Sequence, residues 1–452
     1  MTGKLPWSQP FEVHGSWWVE NARERVAVGT LRYLPTDGLS LHTSDGPQLV
    51  ALDESPESAT LNGLVDGEYW TLGGCWATSS GSDGHTYVVG LAVRGVGMST
   101  AELEQLDELR LSFHELRYLT GIAPRRNDES ALDDLVADIG DGWTLGLESI
   151  RTREASNPDE IHYSDRLEFV VRSPRPGSLY ELADRTYRTI VELSGLFAQR
   201  SVSLQQARVA GEGSTVEWRS GRTVRHVCDV YWPVLPAPSV LSDPPKNYPL
   251  SCLPATQKEF GDRWSAWFGT HRSLDLVFAL RFADLTVDFG YAEPRFMMAM
   301  QTIEALHRRL RPDSVHTASI EAREEALASV SEANRAALKM RLQFAHEPTL
   351  RQRLRELIND AEPFASELLG DQLKPFVHQA VAARNAVTHL SPDVEHPSGL
   401  LLMALQRAAS ALTDLVLLRR LGFDDEGLRV AVRRIGASSS PQYWLHRALS
   451  ES

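Results

Sequence analysis

The apolar residues of this chain change their repeat once, from two residues to about 3.6, and that change dictates strands first and helices afterwards. In the first half, segments such as PFEVHGSWWV, RVAVGTLRYL, GLSLHT, EYWTLGGCWAT and HTYVVGLAVRG alternate or run apolar, with Gly, Asp, Ser and Pro between them. A second strand-rich set follows: WTLGLESIRT, RLEFVVRS, SVSLQQARVA, STVEWRS and TVRHVCDVYWPV. Tyr180 to Ala198 reads as a helix interrupting these sheets. Eight of the eleven tryptophans fall between Trp7 and Trp232, which assigns the large aromatic cores to this half. Adjacent Trp17 and Trp18 point to opposite faces of a strand, so one is expected in the core while the other faces a partner or a second sheet. Gly73-Gly74 reads as a bulge or tight turn, and Gly63 to Gly67 as turn material.

Pro233 to Pro254 contains seven prolines and little periodicity, the mark of a connector. EFGDRWSAWF beyond it is a short helix, and FALRFADLTVDFG is ambiguous. From about Glu293 the chain is helical. Phe296, Met300, Ile303 and Leu310 make one buried stripe, and an Ala- and Glu-rich helix covers about Ile320 to Ala345. Leu350, Leu354 and Leu357 repeat the spacing. Asp371 to His389 forms a further helix, with Pro375 tolerated in its first turn. Leu400 to Leu421 is the most apolar helix, stopped by Gly422. The sum is an α+β protein. Its parts are a strand-rich, sandwich- or barrel-like region at 1–240 (divisible into two sheets near 120), a connector with a short helix at 241–290, and a helical bundle at 291–440.

The net charge of −14 argues against a general polyanion binder while leaving room for a small basic groove. Arginine supplies 41 of the 46 basic residues, which suits bidentate phosphate contacts but equally reflects a composition bias. Cys75, Cys228 and Cys252 lie far apart and fit a reducing cytoplasm. The N-terminus lacks the layout of a signal peptide, and Arg407 and Asp414 interrupt the most apolar stretch, so a soluble, cytoplasmic protein is expected. Walker loops, G-x-S-x-G and metal-ligand spacings are missing from the sequence, so neither cofactor nor metal is expected.

The candidate for chemistry is Arg384-Asn385-Ala386-Val387-Thr388-His389. An arginine five residues before a histidine also occurs at Arg311/His316 and Arg341/His346, so spacing alone decides nothing. Pro312 puts the first of these on a helix break, and the second ends an exposed, charge-rich helix. Arg384 instead lies late in a helix with a well-defined apolar face. Positions five apart on a helix diverge by about 140°. Arg384 and His389 therefore converge only if the helix end loosens, or if a second copy of the site contributes. Alternatively, both residues simply cap a helix end, where cations are favoured.

R-N-x-x-x-H near the end of a bundle helix resembles the signature of HEPN domains, many of which are metal-independent ribonucleases acting as dimers. The first half resembles the N-terminal domain of ApeA-like anti-phage proteins, through G-S-W-W at Gly15 to Trp18, V-G-x-L-x-Y at Val28 to Tyr33, and LNGLVDGEYWTL at Leu61 to Leu72. Met300 to Leu306, M-Q-T-I-E-A-L, looks like the first bundle helix of that family's HEPN module. The resemblance covers both ends of the chain; about 90 to 250 matches only in general character.

What the resemblance implies is an endoribonuclease of abortive infection that cleaves tRNA or mRNA, is silent until a phage-derived trigger acts, and works as a homodimer or higher homo-oligomer. His389 would do acid–base chemistry and Arg384 would stabilise charge on phosphorus. Asn385 would orient phosphate or His389, and Glu304 would orient Arg384 or His389 across the bundle. Glu304 has a competing role in an i,i+4 pair with Arg308, and His307 reads as a satisfied core histidine. Two other readings stay open. The helical module could be a non-catalytic interaction unit, and the strand-rich half could bind carbohydrate or protein.

Overall fold

Alternation in the first half closes a barrel. The structure, a computed structural model, describes residues 9–35, 37–50, 59–81, 84–121, 134–157, 160–217, 223–232, 253, 256–287, 289–313, 317–342, 347–389 and 396–451. The chain forms two compact units, Met1–Lys246 with Cys252–Phe268, and Asn247–Ser251 with Gly269–Ser452.

In the first unit, β1 (Phe11–Val19), β2 (Val26–Leu34), β3 (Gly38–Asp45), β4 (Ala59–Val65), β5 (Glu68–Gly81) and β6 (Gly84–Arg94) pair antiparallel in the order β3-β2-β1-β4-β5-β6. Pairing of β3 with β6 shuts the ring, leaving six strands in a closed barrel. Along β2 the alternation is direct: Ala27, Gly29, Leu31 and Tyr33 are buried while Val26, Val28 and Arg32 are exposed. Asp66 and Gly67, both at positive φ, make the two-residue turn between β4 and β5, whose twist suits a tight hairpin. Gly74, at φ +67°, sits in a β5 bulge where Ala59 pairs with Cys75 and Leu61 with Leu72. Gly63 is required by contact: a Cβ there would lie 2.2 Å from the Trp17 ring. Trp17 is fully buried and donates its indole N–H to the Gly29 carbonyl at 3.1 Å. Trp18 is buried as well, with Arg23 over its ring.

The last residues of β6, still paired with β5 along one edge, pair along the other with a second run of strands. Beyond α1 (Thr100–Leu103) come β7 (Leu106–Phe113), α2 (Leu116–Thr120), β8 (Leu135–Gly140), β9 (Trp143–Asn157), β10 (Glu160–Gly177), α3 (Leu179–Ala198), β11 (Leu204–Gly211), β12 (Thr215–Glu217), β13 (Thr223–Arg225) and β14 (Cys228–Tyr231). The sheet continues β6-β14-β11-β7-β10-β9-β8, and β12 with β13 forms a separate pair. Its apolar face (Leu109, Leu111, Phe169, Val171, Val209) is buried. Phe169 meets Trp264 at 5.2 Å and Phe197 of α3 meets Trp267 at 5.0 Å, so the first part of α4 (Gln257–Ser273) completes this core. Glu108, Glu148 and Glu168 alternate with Arg110, Arg166, Arg172 and Arg208 in a lattice of ion pairs on the same strands.

The second unit is helical: α5 (Asp275–Thr286), α6 (Ala292–Leu310), α7 (Thr317–Ser329), α8 (Glu332–Arg341), α9 (Leu350–Ala361), α10 (Phe364–Leu369), α11 (Leu373–His389), α12 (Gly399–Arg420), α13 (Asp425–Ser439) and α14 (Pro441–Ser450). The ambiguous segment after α4 is therefore helix as far as Thr286. The single helix expected over Ile320 to Ala345 is two, because Ser331 takes an extended conformation and starts α8. Phe296, Met300 and Ile303 are buried as the stripe requires, and Leu310 is half-buried. Central α12 packs against α6, α9, α13 and α14. It is long and apolar enough to cross a membrane, yet 78% of its apolar window is buried in this unit.

Its one acid explains why. Asp414 accepts from Arg281 Nε at 2.7 Å and Nη2 at 2.8 Å, and Arg281 also reaches Asp284 at 2.8 Å. Gln406 and Ser410, both on α12, complete Asp284. Arg281 is buried, and the carboxylates overcome the desolvation that would favour its neutral form. Removing one charge of such a pair leaves the other stranded, at a cost of about 3–5 kcal/mol. Asp414→Asn is expected to lower unfolding stability by about that amount in urea titrations of the full chain, whereas a loss below ~1 kcal/mol would show the pair to be dispensable.

Candidate active site

The apolar faces of two helices decide what meets across the bundle. On α6 the buried residues Phe296, Met300, Ile303 and His307 leave Glu304 beside the stripe, with its side chain 26% exposed. On α11 the buried face is Phe376, Val377, Ala380 and Ala383, which puts Arg384 at its edge with 31% of its side chain exposed. Nη2 of Arg384 lies 3.5 Å from Glu304 Oε1, the outer limit of a hydrogen bond. Arg384 Nε is buried with no acceptor among the described residues. A guanidinium held at arm's length by one carboxylate can turn its exposed edge to an oxyanion.

Glu304 does not form the alternative pair with Arg308, which turns to Glu347 at 2.7 Å. Asn385 follows Arg384 on the exposed side of α11. His389 is the last residue of α11, and its side chain lies outside the described residues. The backbone stays helical up to it, and Thr388 Oγ1 donates to the Arg384 carbonyl at 2.7 Å. Glu304 also lines a groove of about 830 Å³ between α5 and α6, together with Leu276, Leu280, Gln301, Arg308 and Arg309.

The other Arg/His pairs go elsewhere. Arg311 is committed to α9, bonding Asp360 at 2.6 Å and Glu356 at 3.2 Å, and His316 lies outside the described residues. Arg341 ends α8 with its side chain outside the described residues, as is all of His346.

Sequence reasoning did not foresee the buried network beside the site. Arg353 of α9 is buried, donates to the Pro348 carbonyl and to Glu347, and places Nη1 3.3 Å from His307 Nδ1. Since arginine only donates, Nδ1 must accept. The ring proton is then on Nε2, which donates to Glu356 at 2.8 Å. Thr349-x-x-Gln352, a capping box that is legible in the sequence, starts α9. Nothing local signals that Arg353 one residue later turns inward. His307 is the satisfied core histidine that its position on the stripe suggested.

Two family models match the chain: one described as ApeA N-terminal domain 1 over residues 12–267, and one described as Apea-like HEPN over residues 297–427. No curated protein and no solved structure matches it.

Burial, opposed by Glu356 and reinforced by Arg353 and Arg311, pushes the His307 pKa below its ordinary value of 6.5. His307 is thus neutral when folded, and unfolding lets it take up a proton. Its contribution to stability is full above the unfolded pKa and falls away as pH drops through 6.5 toward the folded value. Denaturation midpoints of wild type are expected to fall from neutral pH to mildly acid pH, with a shallower slope in His307→Gln; identical slopes would remove His307 from the account.

Proposed function

The chain belongs to the ApeA-like family, an ApeA N-terminal domain followed by an Apea-like HEPN domain, and on that footing we propose that its helical unit is a metal-independent endoribonuclease of an anti-phage system. The observation that carries this reading is the pairing of Glu304 with Arg384, eighty residues apart, which sets the arginine of R-N-x-x-x-H at the bundle's edge with donors left over.

The chemistry follows from the residue types. The 2′-hydroxyl attacks the adjacent phosphorus and gives its proton to a histidine, while the P–O5′ bond breaks and the leaving oxygen takes a proton from an acid. The products are a 2′,3′-cyclic phosphate and a 5′-hydroxyl. His389 serves as base or acid, since imidazole titrates near neutrality. Arg384 neutralises the extra charge on the pentacoordinate phosphorus, Asn385 orients a phosphate oxygen, and Glu304 fixes the guanidinium. With α11 helical through His389, the 140° divergence of positions five apart is not relieved by a loosened helix end, which favours two motifs from a homodimer facing one groove. In this reading the regions are a sensing and restraining part at 1–240, a connector at 241–290 and the nuclease at 291–440, acting in the cytoplasm on tRNA or mRNA upon a phage-derived trigger.

Labelled RNA incubated in EDTA with the full chain purified from phage-infected cells, where the proposed trigger acts, tests the proposal. Wild type is expected to leave 2′,3′-cyclic ends, His389→Ala to lose about 10²–10⁴-fold in rate, and Arg384→Lys about 10²–10³-fold. Glu304→Gln should retain the fold and lose less than Arg384→Lys. Equal cleavage by wild type and His389→Ala would discard the site assignment. Folded protein whose defence activity survives Arg384→Ala with His389→Ala would instead support a non-catalytic interaction module.

A further inference from the structure

A second pocket of the helical unit, of about 380 Å³, lies between the first turns of α6 and α12; Tyr291, Arg295, Gly399, Met403, Gln406 and Arg407 are among its walls. Among the described residues two guanidinium groups line it and no carboxylate does, against the run of a chain with net charge −14. The groove beside Glu304 and the pocket around Asp141 and Glu181 in the first unit both include acids.

Arg407 is the telling residue. Elsewhere in this unit a buried arginine comes with its carboxylate: Arg281 has Asp414 and Asp284, and Arg353 has Glu347. Arg407 is half-buried and makes no ion pair among the described residues; burial alone lowers its pKa. Its guanidinium instead lies 4.7 Å from the centre of the Trp444 ring, whose face fixes the fork in place without neutralising it. A partly desolvated cation held rigid without an anion is a site prepared for one. At the lip, Tyr291 is 75% exposed, a large aromatic ring with a free face. An arginine without a carboxylate beside an exposed aromatic ring matches the chemistry of single-stranded nucleic acid, a phosphodiester with a base next to it.

We propose that this pocket is an RNA subsite separate from the R-N-x-x-x-H motif, in which Arg407 holds a phosphodiester and Tyr291 stacks on a neighbouring base. The proposal rests on the ribonuclease reading. Arg295, in the pocket wall, precedes Glu304 by nine residues on α6, about 13 Å along the helix and on its opposite side, so pocket and motif engage different nucleotides of one strand. The subsite would select for length and position without touching the scissile bond.

The test is binding of a labelled, 2′-O-methylated single-stranded RNA, long enough to span both contacts, to the full chain over a range of salt. Tyr291→Ala, an exposed position that the fold does not need, is expected to weaken binding about tenfold with the salt slope unchanged. Arg407→Gln, checked for folding by its melting curve, is expected to weaken binding similarly and to reduce the salt slope by about one. Wild-type affinity in both variants would overturn the subsite while leaving the ribonuclease reading intact. A wild-type protein from phage-infected cells that neither binds this RNA nor cleaves its unmethylated form would overturn both.

Discussion

The ion pair of Asp414 with Arg281 is the constraint around which the helical unit is arranged. Helix α12 is apolar on nearly all sides, which makes it a core helix only if other helices surround it. A carboxylate in its middle can be buried only beside a cation with good geometry, and Arg281 supplies a two-pronged contact. Asp284, Gln406 and Ser410 then satisfy the remaining donors and acceptors, so α5 is tied to α12 along more than one turn. Packing of α6 against α12 buries Phe296, Met300 and Ile303, and this orients the remaining face of α6. Glu304 is presented to Arg384 as a consequence.

Two kinds of arginine coexist in this unit, and the difference between them is functional information. Arg281 and Arg353 are buried with carboxylates and hold helices together. Arg384 has a single carboxylate at 3.5 Å and a buried Nε without an acceptor among the described residues, and Arg407 rests on an aromatic face. A fold that neutralises its structural cations while leaving others undersupplied concentrates positive potential where a polyanion can reach it. An acidic chain can in this way accommodate the nucleic-acid substrate proposed for it, because the field that matters is local.

The first unit follows a different logic. Its barrel removes the open edges of six strands, and β6, paired with β5 along one edge, pairs along the other first with β3 and then with β14, so it serves both the barrel and the next sheet. Aromatic bulk fills the interior: Trp17 over Gly63, with Phe11, Tyr33, Trp70 and Tyr231 in mutual contact. The motifs by which this half resembles its family, G-S-W-W and LNGLVDGEYWTL, therefore encode barrel packing and one tight hairpin.

Much of this was legible residue by residue. Alternation in RVAVGTLRYL set the buried face of β2, Asp66-Gly67 its neighbour's turn, the i, i+4, i+7 spacing of Phe296, Met300 and Ile303 the inner face of α6, and R-N-x-x-x-H the arginine that reaches Glu304. These are short-range facts, since a side chain's face depends only on the backbone period around it. Pairings between distant residues were not legible in the same way. Whether Glu304 would meet Arg308 four residues away or Arg384 eighty residues away, whether Trp18 would be covered, and whether Arg407 would find a carboxylate depended on which faces were buried together. The sequence by itself determined the elements, their inner faces and the family. Only the tertiary structure decided the partners, because burying apolar surface sets the distances between charges that share no local pattern.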